Sequence, residues 1–176
     1  MYPEPYIDFL VHFHGSRDYF ECHEILEEYW KQTDANDRNS VWVGLIQISV
    51  ALYHQRIGNF KGAFRLIRKA IFIIKEKKLE IISLGLDHEK LLTLLQKRMG
   101  EIKEGVPYYS INIPIIDNEL LDICIQRCHV MNFKWIEESD LSNISLIKKH
   151  SLRDRKEIIK ERKRQLQLRK KERPNS

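Results

Sequence analysis

The chain has 176 residues, 43% hydrophobic and 31% charged, with only 5 Pro and 7 Gly. This balance argues against a disordered or β-sandwich chain and describes one helix-rich globular core with an appendage. The formal net charge of +5 is a property of the tail: residues 148–176 hold 13 Lys/Arg against 4 Asp/Glu, a net +9, which leaves −4 on the other 147 residues.

No apolar run reaches the ~20 residues that a membrane-spanning helix needs. The longest, residues 41–53, is interrupted by Gly44, Gln47 and Ser49. The opening MYPEPYIDFL carries Glu4 and Asp8 and lacks the basic-then-apolar layout of a secretory signal, so a cytoplasmic location is expected. Cys22, Cys124 and Cys128 are an odd number without a CxxC pair, and they are expected reduced and buried. Cys124 and Cys128, with His129 beside them, have a spacing that could hold a soft metal, but small core-facing residues account for them better.

Helical periodicity organises the chain in order. A first helix is expected over residues 3–14, with Ile7, Leu10 and Val11 on one stripe, ended by Gly15-Ser16. A second starts near Arg17-Asp18 and runs to about Gln32, where TDANDRNS forms a loop that supplies Ser40 as the next N-cap. Residues 41–57 are apolar all round, as a central helix should be. Gly58-Asn59 then makes a C-terminal stop and a new N-cap, and a fourth helix follows over residues 60–77. A fifth is expected over 87–104. The chain is therefore expected to be all-α, a compact bundle of about five helices over residues 1–105. Residues 106–147 read as an extended strap plus a helix over 118–131, and residues 148–176 as a basic, exposed, helix-prone tail with Ser151 as its cap.

The chemistry is concentrated on the second and third helices. At 100° per residue, His23 and Glu27 fall inside the apolar arc of YFECHEILEEYW, whereas Glu21, Glu24 and Glu28 face the other way. Gln47 and His54, two turns apart and flanked by Gly44 and Ala51, share one face of the third helix, and the second helix is the simplest neighbour for that face. A buried carboxylate needs partners. His23, Glu27, Gln47 and His54 are thus expected to form one polar cluster or pocket, closed at one end by Asn59; a structural network that fixes the register of the two helices is the simpler reading of it, and a site the sharper one. The pattern stops one residue short of H-E-x-x-H, because Glu27 stands where the second histidine would be.

Two functional readings follow. In the first, the protein is a binding or interaction module whose pocket engages a protein or small ligand. In the alternative it is a metal-dependent hydrolase in which His23, Glu27 and His54 ligate a divalent metal and Glu24 is the candidate base. No cofactor is assigned beyond that ion. Lys61, Arg65, Arg68 and Lys69 make a basic outer face on the fourth helix, read as a solvated surface. The tail offers nonspecific contact with nucleic acid or an anionic surface. No Gly-rich phosphate loop, nucleophile elbow or dinucleotide fingerprint is present.

FECHEILEEYWK and GLIQISVALYHQRIGNFKGAFRL together resemble the bacterial and archaeal domain-of-unknown-function family 309, over about residues 9–105. The matching elements are His23-Glu24, Glu27, Trp30, Gly44, Gln47, His54, Asn59, Gly62 and Ala63. Residues 106–176 resemble the longer C-terminal extension of Bacillus-type members. The resemblance implies a small all-helical fold and a set of motif positions; it implies no activity.

Overall fold

Four caps set the helices that carry the site. Asp18 accepts from Glu21 N and starts α2, Tyr19–Thr33. Ser40 accepts from Trp42 N and starts α3, Val41–Arg56. Asn59 accepts from Gly62 N and starts α4, Phe60–Glu76, directly after Gly58, whose φ of 78° closes the α3–α4 turn. Asp87 does the same for α6, His88–Lys103. In the computed structural model residues 1–152, 160, 163, 164 and 167 are described, so most of the expected tail helix lies outside the described residues.

The remaining elements add to the expected five. α1, Glu4–Val11, runs into a π-helical turn, His12–Ser16. α5, Lys78–Ser83, buries only Ile81, too little apolar periodicity to stand out in the sequence. α7 is Asn118–Val130, and α8, Ile144–Ile147, precedes α9, Lys149–Leu152. The count among the described residues is therefore nine α-helices rather than about five. Ser151 lies inside α9 and does not cap it.

α3 is the hub. Leu45, Ile48, Ala51 and Leu52 are fully buried, with α2 packed on one side and α4 on the other. The α4 contact depends on Gly44: a Cβ there would come within 3.0 Å of Ile73 Cγ2 and 3.1 Å of Ile74 Cδ1. α6 covers α4, and α7 covers α1. Cys22, Cys124 and Cys128 are free and buried, while His129 is exposed, so their surroundings are those of packed small side chains.

Residues 106–117 cross the bundle without helical structure and bury Tyr108, Ile111 and Ile113. Leu86 and Ile115 form an antiparallel bridge, and Ile116 N donates to Gly85 O at 2.8 Å. Buried polar side chains tie this strap down. Gln55 Nε2 donates to Val106 O (3.0 Å), while Arg98 Nη1 donates to Gln55 Oε1 (3.0 Å) and Tyr109 O (2.8 Å). The Arg98 guanidinium also sits 3.9 Å from the centre of the Tyr109 ring.

Candidate functional site

On α2, His23 stands between two carboxylates. Its Nδ1 is 3.0 Å from Glu24 Oε1 and its Nε2 is 3.4 Å from Glu27 Oε2. Lys31 Nζ reaches the other Glu27 oxygen at 3.0 Å. The side chains of His23, Glu24 and Glu27 are 30%, 37% and 32% exposed, so the cluster lies at the rim of the bundle and not in its interior. One ligand atom from each of the three falls within 4.8 Å of the others, and His54 stands outside this group. The structure thus brings His23, Glu24 and Glu27 together, and not His23, Glu27 and His54. Glu24, placed on the outer arc by the helical wheel, bends back to its neighbour's imidazole because a carboxylate one residue away has the reach to do so.

Gln47 is not part of this cluster. The small-residue stripe through Gly44 admits α4 and not α2, so Gln47 opens onto a groove with Arg65, Arg68, Lys69 and Phe72. Its Oε1 is buried and has no hydrogen-bond partner among the described residues. The one pocket expected from the sequence is therefore two: a basic groove along α4, and a cavity between α2 and α3.

That cavity, of about 320 Å³, is lined by Tyr19, Phe20, His23, Tyr53, His54 and His150, with Val50 and Ile57 as aliphatic wall. Asn59 fixes the state of His54. As the N-cap of α4, Asn59 Oδ1 accepts from Gly62 N at 3.0 Å, so the amide end facing His54 is Nδ2, which donates to His54 Nδ1 at 2.9 Å. The neutral imidazole then carries its proton on Nε2. Burial, with His150 and Arg65 nearby, holds the His54 pKa below its ordinary value and favours that neutral form. A ring with Nε2 protonated donates to an acceptor and offers no lone pair to a metal.

The cavity is covered by the start of the tail. Lys149 Nζ donates to Asp18 Oδ2 (2.6 Å) and Glu21 Oε2 (3.4 Å) and lies 5.7 Å from the centre of the Phe20 ring. His150 N donates to Tyr53 Oη (3.1 Å), and its ring meets Phe20 and Tyr53 edge-on. Accepting there leaves the Tyr53 hydroxyl proton free to donate. Tyr53 carried a weak signal in the sequence, as the polar-tipped aromatic next to His54. His150 carried none, because the irregular stretch between α7 and α8 gives no hint of where the tail returns.

An all-α bundle with a His-carboxylate cluster beside an aromatic, imidazole-lined cavity is the class that the fold and the site define. The family model described as "Domain of unknown function (DUF309)" matches residues 6–66, which contain His23, Glu24, Glu27, Gln47, His54 and Asn59. A relative named "Uncharacterized protein YpuF", from Bacillus subtilis (strain 168), is 49% identical over 173 residues, covering 98% of this chain and 99% of its own length. The chain belongs to the DUF309 family. No solved structure matches it. No helix among the described residues is long and apolar enough to cross a membrane.

Proposed function

We propose that the protein is a binding module whose α2–α3 cavity takes a small molecule with an apolar body and a hydrogen-bond acceptor at one end, such as a carboxylate. The supporting observation is the fixed tautomer of His54. An imidazole held as an Nε2–H donor by Asn59, in a cavity that also holds the free Tyr53 hydroxyl proton, suits an acceptor on the ligand. Phe20, Val50 and Ile57 suit its apolar body.

Phenylacetate tests this reading. It should shift the NMR signals of His23, His54 and His150, and benzylamine should not. Asn59→Asp keeps an oxygen for the α4 cap but replaces the amide donor by a second acceptor, so His54 would place its proton on Nδ1. Binding should then weaken roughly 10-fold or more, the cost of losing a hydrogen bond to a charged group. Unchanged binding in Asn59→Asp, or no shift with phenylacetate, sinks the proposal.

A second reading rests on the three converging ligand atoms of His23, Glu24 and Glu27. A divalent ion there would take over from Lys31 in neutralising the two carboxylates, with His23 as its nitrogen ligand. Protein prepared without chelator should then hold one equivalent of zinc or manganese, lost in His23→Ala. Metal-free parent protein that takes up neither ion on dialysis rules this reading out. Glu24 belongs to the ligand set here, so a hydrolase would need another base.

A further inference from the structure

The outer face of α4 carries Lys61, Arg65, Arg68 and Lys69, and none of the four makes an ion pair or a hydrogen bond among the described residues. Several cations elsewhere are paired: Lys31, Lys77, Lys78, Arg127 and Lys149 each meet a carboxylate within 4.0 Å. Lys61 and Arg65, and Arg65 and Lys69, are like charges four residues apart on a helix, an arrangement that costs a few tenths of a kcal/mol per pair. Among the described residues the charge is left unneutralised.

Phe72 lies at the C-terminal end of this stripe, four residues after Arg68 and three after Lys69, and is 58% exposed. Beside it, between α3 and α4, runs the groove of about 660 Å³ that Gln47, Leu66 and Phe72 line together with Arg65, Arg68 and Lys69. The buried Gln47 Oε1 at its wall lacks a donor among the described residues. An exposed aromatic anchor beside three cations and an unsatisfied acceptor is a surface with the parts of a recognition site.

We infer that the α3–α4 groove binds an acidic, amphipathic segment of another protein, with Phe72 and Leu66 as the apolar seat and Arg65, Arg68 and Lys69 as counter-charges. The chain's own tail is excluded as occupant by its net +9. The acidic face of α2 on a second copy is a poor occupant, because its Glu27 and Glu21 already face Lys31 and Lys149. A phosphate backbone would satisfy the cations but has no proton for Gln47 Oε1, whereas a peptide brings N–H donors. This inference is independent of the α2–α3 cavity.

The test uses the full chain and a labelled helical peptide about as long as α4, with leucines along one stripe and glutamates elsewhere, followed by fluorescence anisotropy. A scrambled peptide of the same composition and an oligothymidylate are the comparisons, and the tail contributes equally to parent and variants. The striped peptide should bind better than the scrambled one and weaken roughly 30-fold in Arg65→Glu/Arg68→Glu and about tenfold in Phe72→Ser. Equal binding of the two peptides, or full binding by Phe72→Ser, overturns the inference. So does an oligothymidylate that displaces the striped peptide and itself loses affinity in the double variant. These side chains face solvent, so the variants should retain the parent's circular dichroism.

Discussion

Replacing Arg17 by Met should lower the unfolding free energy by about 3–5 kcal/mol, as expected when one member of a buried charged network is removed. The Arg17 side chain is fully buried, and its guanidinium joins three parts of the chain. Nε donates to Glu137 O (2.6 Å), Nη1 donates to Phe13 O (2.9 Å) and Ile111 O (2.7 Å), and Nη2 donates to Asn112 Oδ1 (2.7 Å). No carboxylate is among these partners. The charge is solvated by carbonyl dipoles, each of which would lose its donor at a cost of roughly 1–3 kcal/mol if it stayed buried. Arg17 also has φ 54°, in the left-handed region, at the point where the π-helical turn hands over to α2. A backbone held there in a residue with a Cβ requires compensating contacts, and the guanidinium supplies them. Lysine keeps the charge but cannot span the same acceptors from a single nitrogen, so Arg17→Lys should recover little. Urea unfolding followed by tryptophan fluorescence reads the effect, and a loss below about 1 kcal/mol would show that water replaces the guanidinium. Hydrogen exchange should also show residues 106–117 opening first in Arg17→Met, because two of the four bonds end there.

The elements that were legible in the sequence are those whose signal is local. Asp18, Ser40 and Asn59 start helices where their side chains predict, Gly58 takes the positive φ that ends α3, and α3 is buried on every side as its uniform hydrophobicity requires. The membership of the polar site was less legible, because it depends on which helix approaches which face. Gly44 marks a close approach, but nothing in its neighbourhood distinguishes α4 from α2 as the partner, and Gln47 was assigned accordingly to the wrong neighbour. Other buried polar residues lay within reach of the same pattern argument. Arg98 continues the Leu91, Leu95, Ile102 stripe, Gln55 continues Leu45, Ile48 and Leu52, and His14 continues Ile7 and Leu10; all three are buried. A polar residue on an apolar stripe signals burial with partners, and here the partners include the strap's own backbone groups: the carbonyls of Val106 and Tyr109 and the N–H of Ile113. Arg17 had no such signal, since it follows the Gly15-Ser16 break and sits on no stripe.

Acid should destabilise the protein by about 3 kcal/mol through His14 alone, with the loss confined to the range between pH 6.5 and about pH 4. Burial pushes the His14 pKa from 6.5 down to about 4, with the nearby Arg17 charge acting in the same direction and the carbonyls of Leu10 and Ile113 opposing. The hydrogen bonds explain why the neutral ring is held. Nδ1–H donates to Leu10 O at 2.8 Å, Nε2 accepts from Ile113 N at 3.0 Å, and the ring stacks on Trp135 at 4.5 Å. A proton on Nε2 would face the Ile113 N–H. Above pH 6.5 the imidazole is neutral both folded and unfolded, and stability does not respond to it. As pH falls from 6.5 towards 4 the unfolded chain takes up a proton that the folded chain refuses, so unfolding is favoured progressively; below about 4 both states are protonated and this contribution is flat. Burial also lowers the pKa values of His12 and His54, which adds loss of the same sign in the parent and in any His14 variant alike. The difference between parent and His14→Gln isolates the single group, since glutamine offers a donor and an acceptor without titrating. Urea midpoints measured from pH 7 to pH 4 should fall more steeply in the parent, and parallel curves would mean that His14 titrates as an exposed histidine does. Should His14→Gln fold poorly, the parent's own His14 ring signal decides the matter: it should stay at its neutral position down to about pH 5, and a midpoint near 6.5 would contradict the buried, doubly bonded ring.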